Sequence, residues 1–174
     1  MSRIKIKLKG VEQVYNQLKR AEEQRWPTII RVIEKYVDLM VAEAKKNAPV
    51  DIGTTKASIG KQMLTHSVIF YLDSDHGAVQ EFGTGARMDI PVELESEAIK
   101  FKGMKGGDIN EFAKELEAWG SRKGIVVKDP YLMALAILRN GLRPQPFMYP
   151  AYLKYKDKIV PEIDKALTNL YKIK

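Results

Sequence analysis

Residues 3–9 read RIKIKLK, with a cation at every odd position and an aliphatic residue at every even one. That two-residue period predicts a strand with one buried face, ended by Gly10. The period then changes. Val11, Val14, Tyr15 and Leu18 recur at helical spacing up to Arg25. Pro27 is tolerated in the first turn of a helix, so a second helix is expected from Pro27 to about Asn47. Ile29, Ile33, Tyr36, Val37, Met40 and Ala44 form its stripe, and Ile30, Val32, Leu39 and Val41 widen it. A helix apolar over so much of its circumference packs on two sides, the second being its own domain or a neighbouring subunit.

Between Ser58 and Phe82 the pattern predicts strands, most clearly in SVIFYL (67–72) and AVQEF (78–82), with DSDHG between them as a tight turn. Residues 84–107 are rich in Gly, Lys and Glu and weakly patterned. They predict a long loop, mobile from residue 86 to 107, with a short strand about Ala98–Phe101. Asp108 can cap a helix carrying Ile109, Phe112, Leu116 and Trp119, with Glu111 completing a capping box. Asp129 and Pro130 open another helix, which Arg139 and Gly141 close.

Pro144, Pro146 and Pro150 then surround Phe147, Met148 and Tyr149. Exposing those three apolar side chains together would leave a sticky patch, so the segment should lie against the body as an irregular edge strand beside the sheet. Phe147 is expected in the core and Met148 pointing the opposite way, towards a neighbour. Pro150 falls at or near the start of a C-terminal helix whose stripe is Tyr152, Tyr155, Ile159, Ile163, Ala166 and Leu170, with Pro161 kinking or restarting it. No internal repeat is evident. The elements add up to an α+β fold in one domain, 1–174. A small, mostly antiparallel sheet packs against a long N-terminal helix and a C-terminal helix, with a loop- and helix-containing insertion at about 86–140.

Composition narrows the function without naming it. A hydrophobic fraction of 45% and a charged fraction of 29% fit a soluble globular protein rather than a disordered one. The net charge of +7 and pI near 9.4 suit contact with nucleic acid or an acidic surface, or a merely solvated Lys-rich surface. The cations are spread along the chain, without the block that marks a dedicated DNA-reading patch. There is no cysteine, hence neither a disulfide nor a thiolate metal site. The basic start has no continuous apolar core, so no signal peptide is expected, and no apolar run reaches membrane-spanning length.

Candidate chemistry is sparse. His66 and His76 lie ten residues apart, outside any paired metal-ligand spacing. Asp73, Asp75, His76 and Glu81 are close enough in sequence to hold a divalent metal for nuclease work; the other reading is a polar turn followed by a strand. FGTGAR (82–87) lacks the spacing of a phosphate loop. No triad order appears. The residues therefore assign no catalytic, cofactor or metal site, and no enzyme.

Three separated segments carry more. They are NAPVDIGTTKASI (47–59), AVQEFGTGAR (78–87) and RPQPFMYPA (143–151). In order and spacing they resemble the tail-completion, or head–tail connector, family of tailed bacteriophages, often called minor tail components. In that pattern a helix ends in A-P-x-D-T-G, a strand ends in V-E-F-G-T, and P-F-(M/L)-x-P-A precedes the last helix. Ala48, Pro49, Asp51 and Gly53 match the first motif, with Ser58 and Ile59 at its end. Glu81, Phe82, Gly83 and Thr84 match the second, and Pro146, Phe147, Met148, Pro150 and Ala151 the third. Ile52, Thr55 and Gly77 depart from it.

The resemblance implies a non-enzymatic virion protein of the neck, assembled in the host cytoplasm. It implies a homo-oligomeric ring around the DNA channel, with connector or portal-side proteins and tail-tube or tail-terminator proteins as partners, no cofactor and no membrane. Read mechanically, Pro49 stops the long helix and Asp51 with Gly53 turns the chain into the sheet. Glu81 and Phe82 point to opposite faces of a strand, which frees Glu81 for a basic partner. The cationic face of residues 3–9 meets channel DNA, an acidic partner or only solvent. A stand-alone nucleic-acid-binding module and a metal-dependent nuclease remain the alternatives.

Overall fold

The computed structural model of the chain describes residues 11–49, 53–98 and 108–172. The strand expected at 3–9 and the turn residue Asp51 lie outside the described residues. In chain order the helices are α1 (Val11–Asn47), α2 (Thr54–Ala57), α3 (Asp75–Phe82), α4 (Glu95–Ala98), α5 (Ile109–Lys123), α6 (Pro130–Asn140) and α7 (Met148–Tyr171). Strands β1 (Ile59–Met63) and β2 (Val68–Leu72) form an antiparallel hairpin between α2 and α3, and 3₁₀ turns occupy Gly85–Arg87 and Val92–Leu94. The class is α+β, as the pattern indicated.

The two helices expected on either side of Pro27 are one. α1 runs through Pro27 without a break, and α7 likewise runs through Pro161. A proline removes one hydrogen bond from a helix interior, but the apolar stripe on both sides of it still has a partner to lie against. The stripe on α1 buries Tyr36, Val37, Met40 and Ala44, and Ala48 just beyond its end. One side of it packs along α7 and another receives the hairpin. The second partner of this apolar helix is thus within the chain.

The hairpin puts Ile59 opposite Leu72 and Lys61 opposite Phe70. Ile59 is buried, while Phe70 and Leu72 pack against the same cluster from β2. Lys61 turns towards α1 and pairs with Glu34 and Asp38 at 2.7 Å each. Those two carboxylates hold the lysine above its ordinary value.

AVQEF is not a strand. Ser74 accepts a hydrogen bond from Gly77 N at 3.1 Å and caps α3, so DSDHG is a helix start rather than a turn. Ala78 and Phe82, four residues apart, fall on one helical face and are buried against Met88, Ile90 and Leu94. That contact also anchors the first half of the expected mobile loop, where Asp89 N donates to Phe82 O at 2.9 Å. Ala98, placed at the start of a short strand by its sequence, ends α4; residues 99–107 lie outside the described ones. The helices at 108 and 129 begin as their caps predict. Asp108 accepts from Asn110 N and Asp129 from Leu132 N, both at 2.9 Å. No helix among the described residues is long and apolar enough to cross a membrane.

Candidate functional site

The first N–H groups of a helix have no partner within it and carry the positive end of its dipole. At α7 those groups belong to Phe147, Met148, Tyr149 and position 150. Phe147, in the capping position, has no side-chain acceptor to offer. Glu81 supplies one from 66 residues upstream. Its Oε2 accepts from Phe147 N at 2.7 Å and Met148 N at 2.9 Å, and its Oε1 from Tyr149 N at 2.8 Å. The fourth position is Pro150, which has no N–H to satisfy. One carboxylate and one proline complete the helix start.

Glu81 reaches that position because α3 is a helix. Phe82 faces Met88, Ile90 and Leu94, and Glu81 lies about 100° around the axis, towards α7. Only 4% of Glu81 is exposed. It is not free for a basic partner, as a strand assignment would have made it. A buried carboxylate needs hydrogen bonds to its charged form, and here three backbone donors provide them.

Gly83 and Thr84 continue the joint. Thr84 N donates to Leu142 O at 3.1 Å, and Leu142 N donates back to Thr84 Oγ1 at 2.8 Å. Gln145 N donates to Gln80 O at 2.7 Å. The proline-rich segment therefore runs beside α3 and the turn after it, not along the sheet. Gly83 (φ 73°) and Gly141 (φ 76°) both sit in the left-handed region at this crossing. A Cβ on Gly83 would lie 2.7 Å from Leu142 O, and one on Gly141 would overlap Thr84 O at 1.9 Å. The glycines of FGTGAR let two backbones meet.

Beneath the joint lies the core. Phe147 is fully buried with Ala44, Ala48, Ile59 and Ala151, and the small alanines on α1 and α7 make room for its ring. Met148 does not point the opposite way: it is half-buried against the same cluster. A second tie holds the first turn of α7 from outside. Tyr149 donates its phenol proton to Glu93 Oε2 at 2.5 Å, and Lys156 Nζ reaches Glu93 Oε1 at 3.5 Å. The phenol hydrogen bond, more than Lys156, holds the Glu93 carboxyl below its ordinary value, and the same bond pushes the Tyr149 phenol up.

The three motifs thus largely come together. Ala48 from the first, Glu81, Phe82, Gly83 and Thr84 from the second, and Pro146, Phe147, Met148 and Pro150 from the third meet around one helix start. Pro49 follows α1 as expected, and Gly53 (φ 85°) sits in the capping position of α2. Of the residues considered for a metal, the side chain of Asp75 lies outside the described ones. Asp73 and His76 are exposed and Glu81 is committed to α7. Among the described residues no group of three or more His, Cys, Asp or Glu could hold a metal ion. His66 instead meets the edge of Trp26, with ring centroids 4.9 Å apart. The arrangement can fix geometry.

The role of Glu81 escapes local pattern reading because its donors lie 66 residues away. One signal existed: a helix start with Phe in the capping position and no nearby Ser, Thr, Asp or Asn needs an acceptor from elsewhere. Comparisons with protein-family models, curated proteins and solved structures give no match.

Proposed function

We propose that this chain is a structural virion protein of the phage head–tail junction. It acts by ring-type assembly with connector or portal-side proteins and tail-tube or tail-terminator proteins. The observation that carries this reading is the convergence of the three motifs behind the resemblance. Ala48, Glu81 and Phe147 are far apart in sequence yet form one mechanical joint, and a joint is what a load-transmitting subunit needs. Exposed apolar surface supports it further. Val14, Tyr15 and Leu18 on the first turns of α1, and Ile69 and Tyr71 on β2, are uncovered in the single subunit and available to neighbours. The basic balance of the chain suits passing contact with channel DNA.

The deciding experiment is a stop codon in the gene within its phage. Lysates should contain filled heads and separate tails, with joining restored by the wild-type protein in trans. Joined, infective particles without the protein would overturn the reading. The purified chain should also leave DNA uncut with magnesium or manganese. Cleavage that vanishes on Asp73→Ala would replace the structural reading with a metal-dependent nuclease.

A further inference from the structure

Along the sequence the cations form no block, but α7 and its C-capping residue gather four of them. Lys154, Lys158, Lys165 and Lys172 recur at intervals of four and seven residues, and all four are exposed. At 3.6 residues per turn they share an arc of about 40° and make a row about 27 Å long. Asp157, Glu162 and Asp164 fall outside that arc. α1 packs alongside and adds to the row. Lys35 Nζ lies 3.7 Å from Glu162 Oε1, and Arg20 lines the same surface groove as Lys172, with Gln17 and Gln24. The carboxylates that meet the row are already held, Glu43 by Lys154 at 2.9 Å and Glu162 by Lys35. Cations outnumber them, and the face is positive.

We infer that this face binds the phosphate backbone of duplex DNA, without regard to base sequence. A single phosphate or a nucleotide would meet one or two of these cations, whereas a polyanion meets the whole row. The row spans most of one turn of a DNA duplex, roughly 34 Å. Lysine ammonium groups act as point charges and suit phosphates. Lysine is depleted from the cores of protein–protein interfaces, which argues against an acidic protein as the occupant. Single strands are gripped by exposed rings on which bases stack. Here Tyr155 is half-buried beneath Lys154 and Lys158, whose Nζ atoms lie 5.5 and 5.3 Å from its centroid, and Tyr36 is buried beneath Lys35 at 5.2 Å. Those rings steady the ammonium groups instead.

Contacts to phosphate position a protein on a duplex but carry no sequence information, and nothing in the row is shaped to read a base edge. Binding is therefore electrostatic and weakens steeply with salt, because each neutralised phosphate releases its counterion. The inference gives a face and a mode to what the overall charge leaves unplaced. It uses neither Glu81 nor Phe147 and does not depend on the head–tail reading.

Fluorescence anisotropy with the full chain and a labelled DNA duplex of about 30 base pairs, titrated from about 50 mM salt upwards, tests this. Log affinity should fall against log salt with a slope of about −3 to −4, as four phosphate contacts require. A second duplex of unrelated sequence should bind equally. Lys158→Gln combined with Lys165→Gln should flatten the slope by about 2 and weaken binding at least about tenfold. That variant should melt with the wild type, since both side chains are exposed. The control combines Lys114→Gln on α5 with Lys128→Gln in the loop before α6. It removes the same charge from exposed positions and should keep the wild-type slope. Three results would each overturn the inference. No binding at about 50 mM salt would leave the row to solvent or to an acidic protein. An unchanged slope in the α7 variant would place the contacts elsewhere, and an equal loss in the control would mean that net charge alone decides. None of them bears on whether heads and tails join in the phage assay.

Discussion

Replacing Glu81 by Gln would change no shape and remove the chemistry of the joint. A glutamine has one acceptor oxygen and an NH₂ group, so at least one helix-start N–H would face another donor. Glu81→Gln should therefore cost about 2–3 kcal/mol in denaturant melts, nearly as much as Glu81→Ala, because a buried donor without an acceptor carries its full desolvation penalty. A Gln variant within about 0.5 kcal/mol of wild type would show that the carboxylate is not what holds α7. Phe147→Ala should cost about 3–5 kcal/mol, since the ring is fully buried among residues too small to fill its space. Met148→Asp should lower the monomer's melting temperature, because that side chain rests on the same cluster. At this scale the burial of Phe147 was legible, as an apolar residue between prolines has nowhere else to go. The role of Glu81 was not, because hydrogen bonds across 66 residues leave no local period.

Elements were legible where caps and periodicity agreed. Asp108 and Asp129 begin α5 and α6 as read, and β2 lies where SVIFYL placed it. They were misread where a short apolar run fits both periods. In AVQEF, Ala78 and Phe82 satisfy helical spacing and alternation alike; the cap by Ser74 and the left-handed Gly83 decide for a helix. Pro27 misled in the other direction, since it costs a hydrogen bond without ending a helix held by tertiary packing, whereas Pro161 lies inside α7, within the stripe read from Tyr152 to Leu170. The crossing of the 83–85 turn with the end of α6 gives this scale its test. Gly141→Ala places a methyl group on Thr84 O and forces a residue with a Cβ into φ 76°. It should cost well over about 1 kcal/mol, whereas Gly124→Ala, also at positive φ but with nothing within 4 Å, should cost less. Equal costs at the two glycines would mean that backbone strain, not the close crossing, sets the penalty.

Across the whole molecule, α7 is tied down by charge as well as by its core. Lys154 Nζ meets Glu43 Oε2 of α1 at 2.9 Å, and Glu93 holds Tyr149 and Lys156. The hydrogen bond from Lys154 sets Glu43 below the ordinary 4.5, and the one from Tyr149 does the same to Glu93. A carboxyl depressed on folding stabilises the fold at pH values above 4.5 and loses that contribution as pH falls through its folded value. On the alkaline side the order reverses. Tyr149 is raised above 10.0 by Glu93, Lys154 above 10.5 by Glu43, and Lys61 above 10.5 by Asp38 and Glu34. Their contribution is complete below those values and is lost as pH rises through the raised ones. Melting temperature should thus hold a plateau from about pH 5 to about pH 9.5 and fall on both sides. All these pairs are at least partly open to solvent, so each is worth little and salt should flatten both limbs. The double variant Glu43→Gln, Glu93→Gln should melt slightly lower on the plateau yet lose less than wild type between pH 5 and pH 3. An acid limb as steep as wild type's in that variant would place the acid-sensitive contacts elsewhere than along α7.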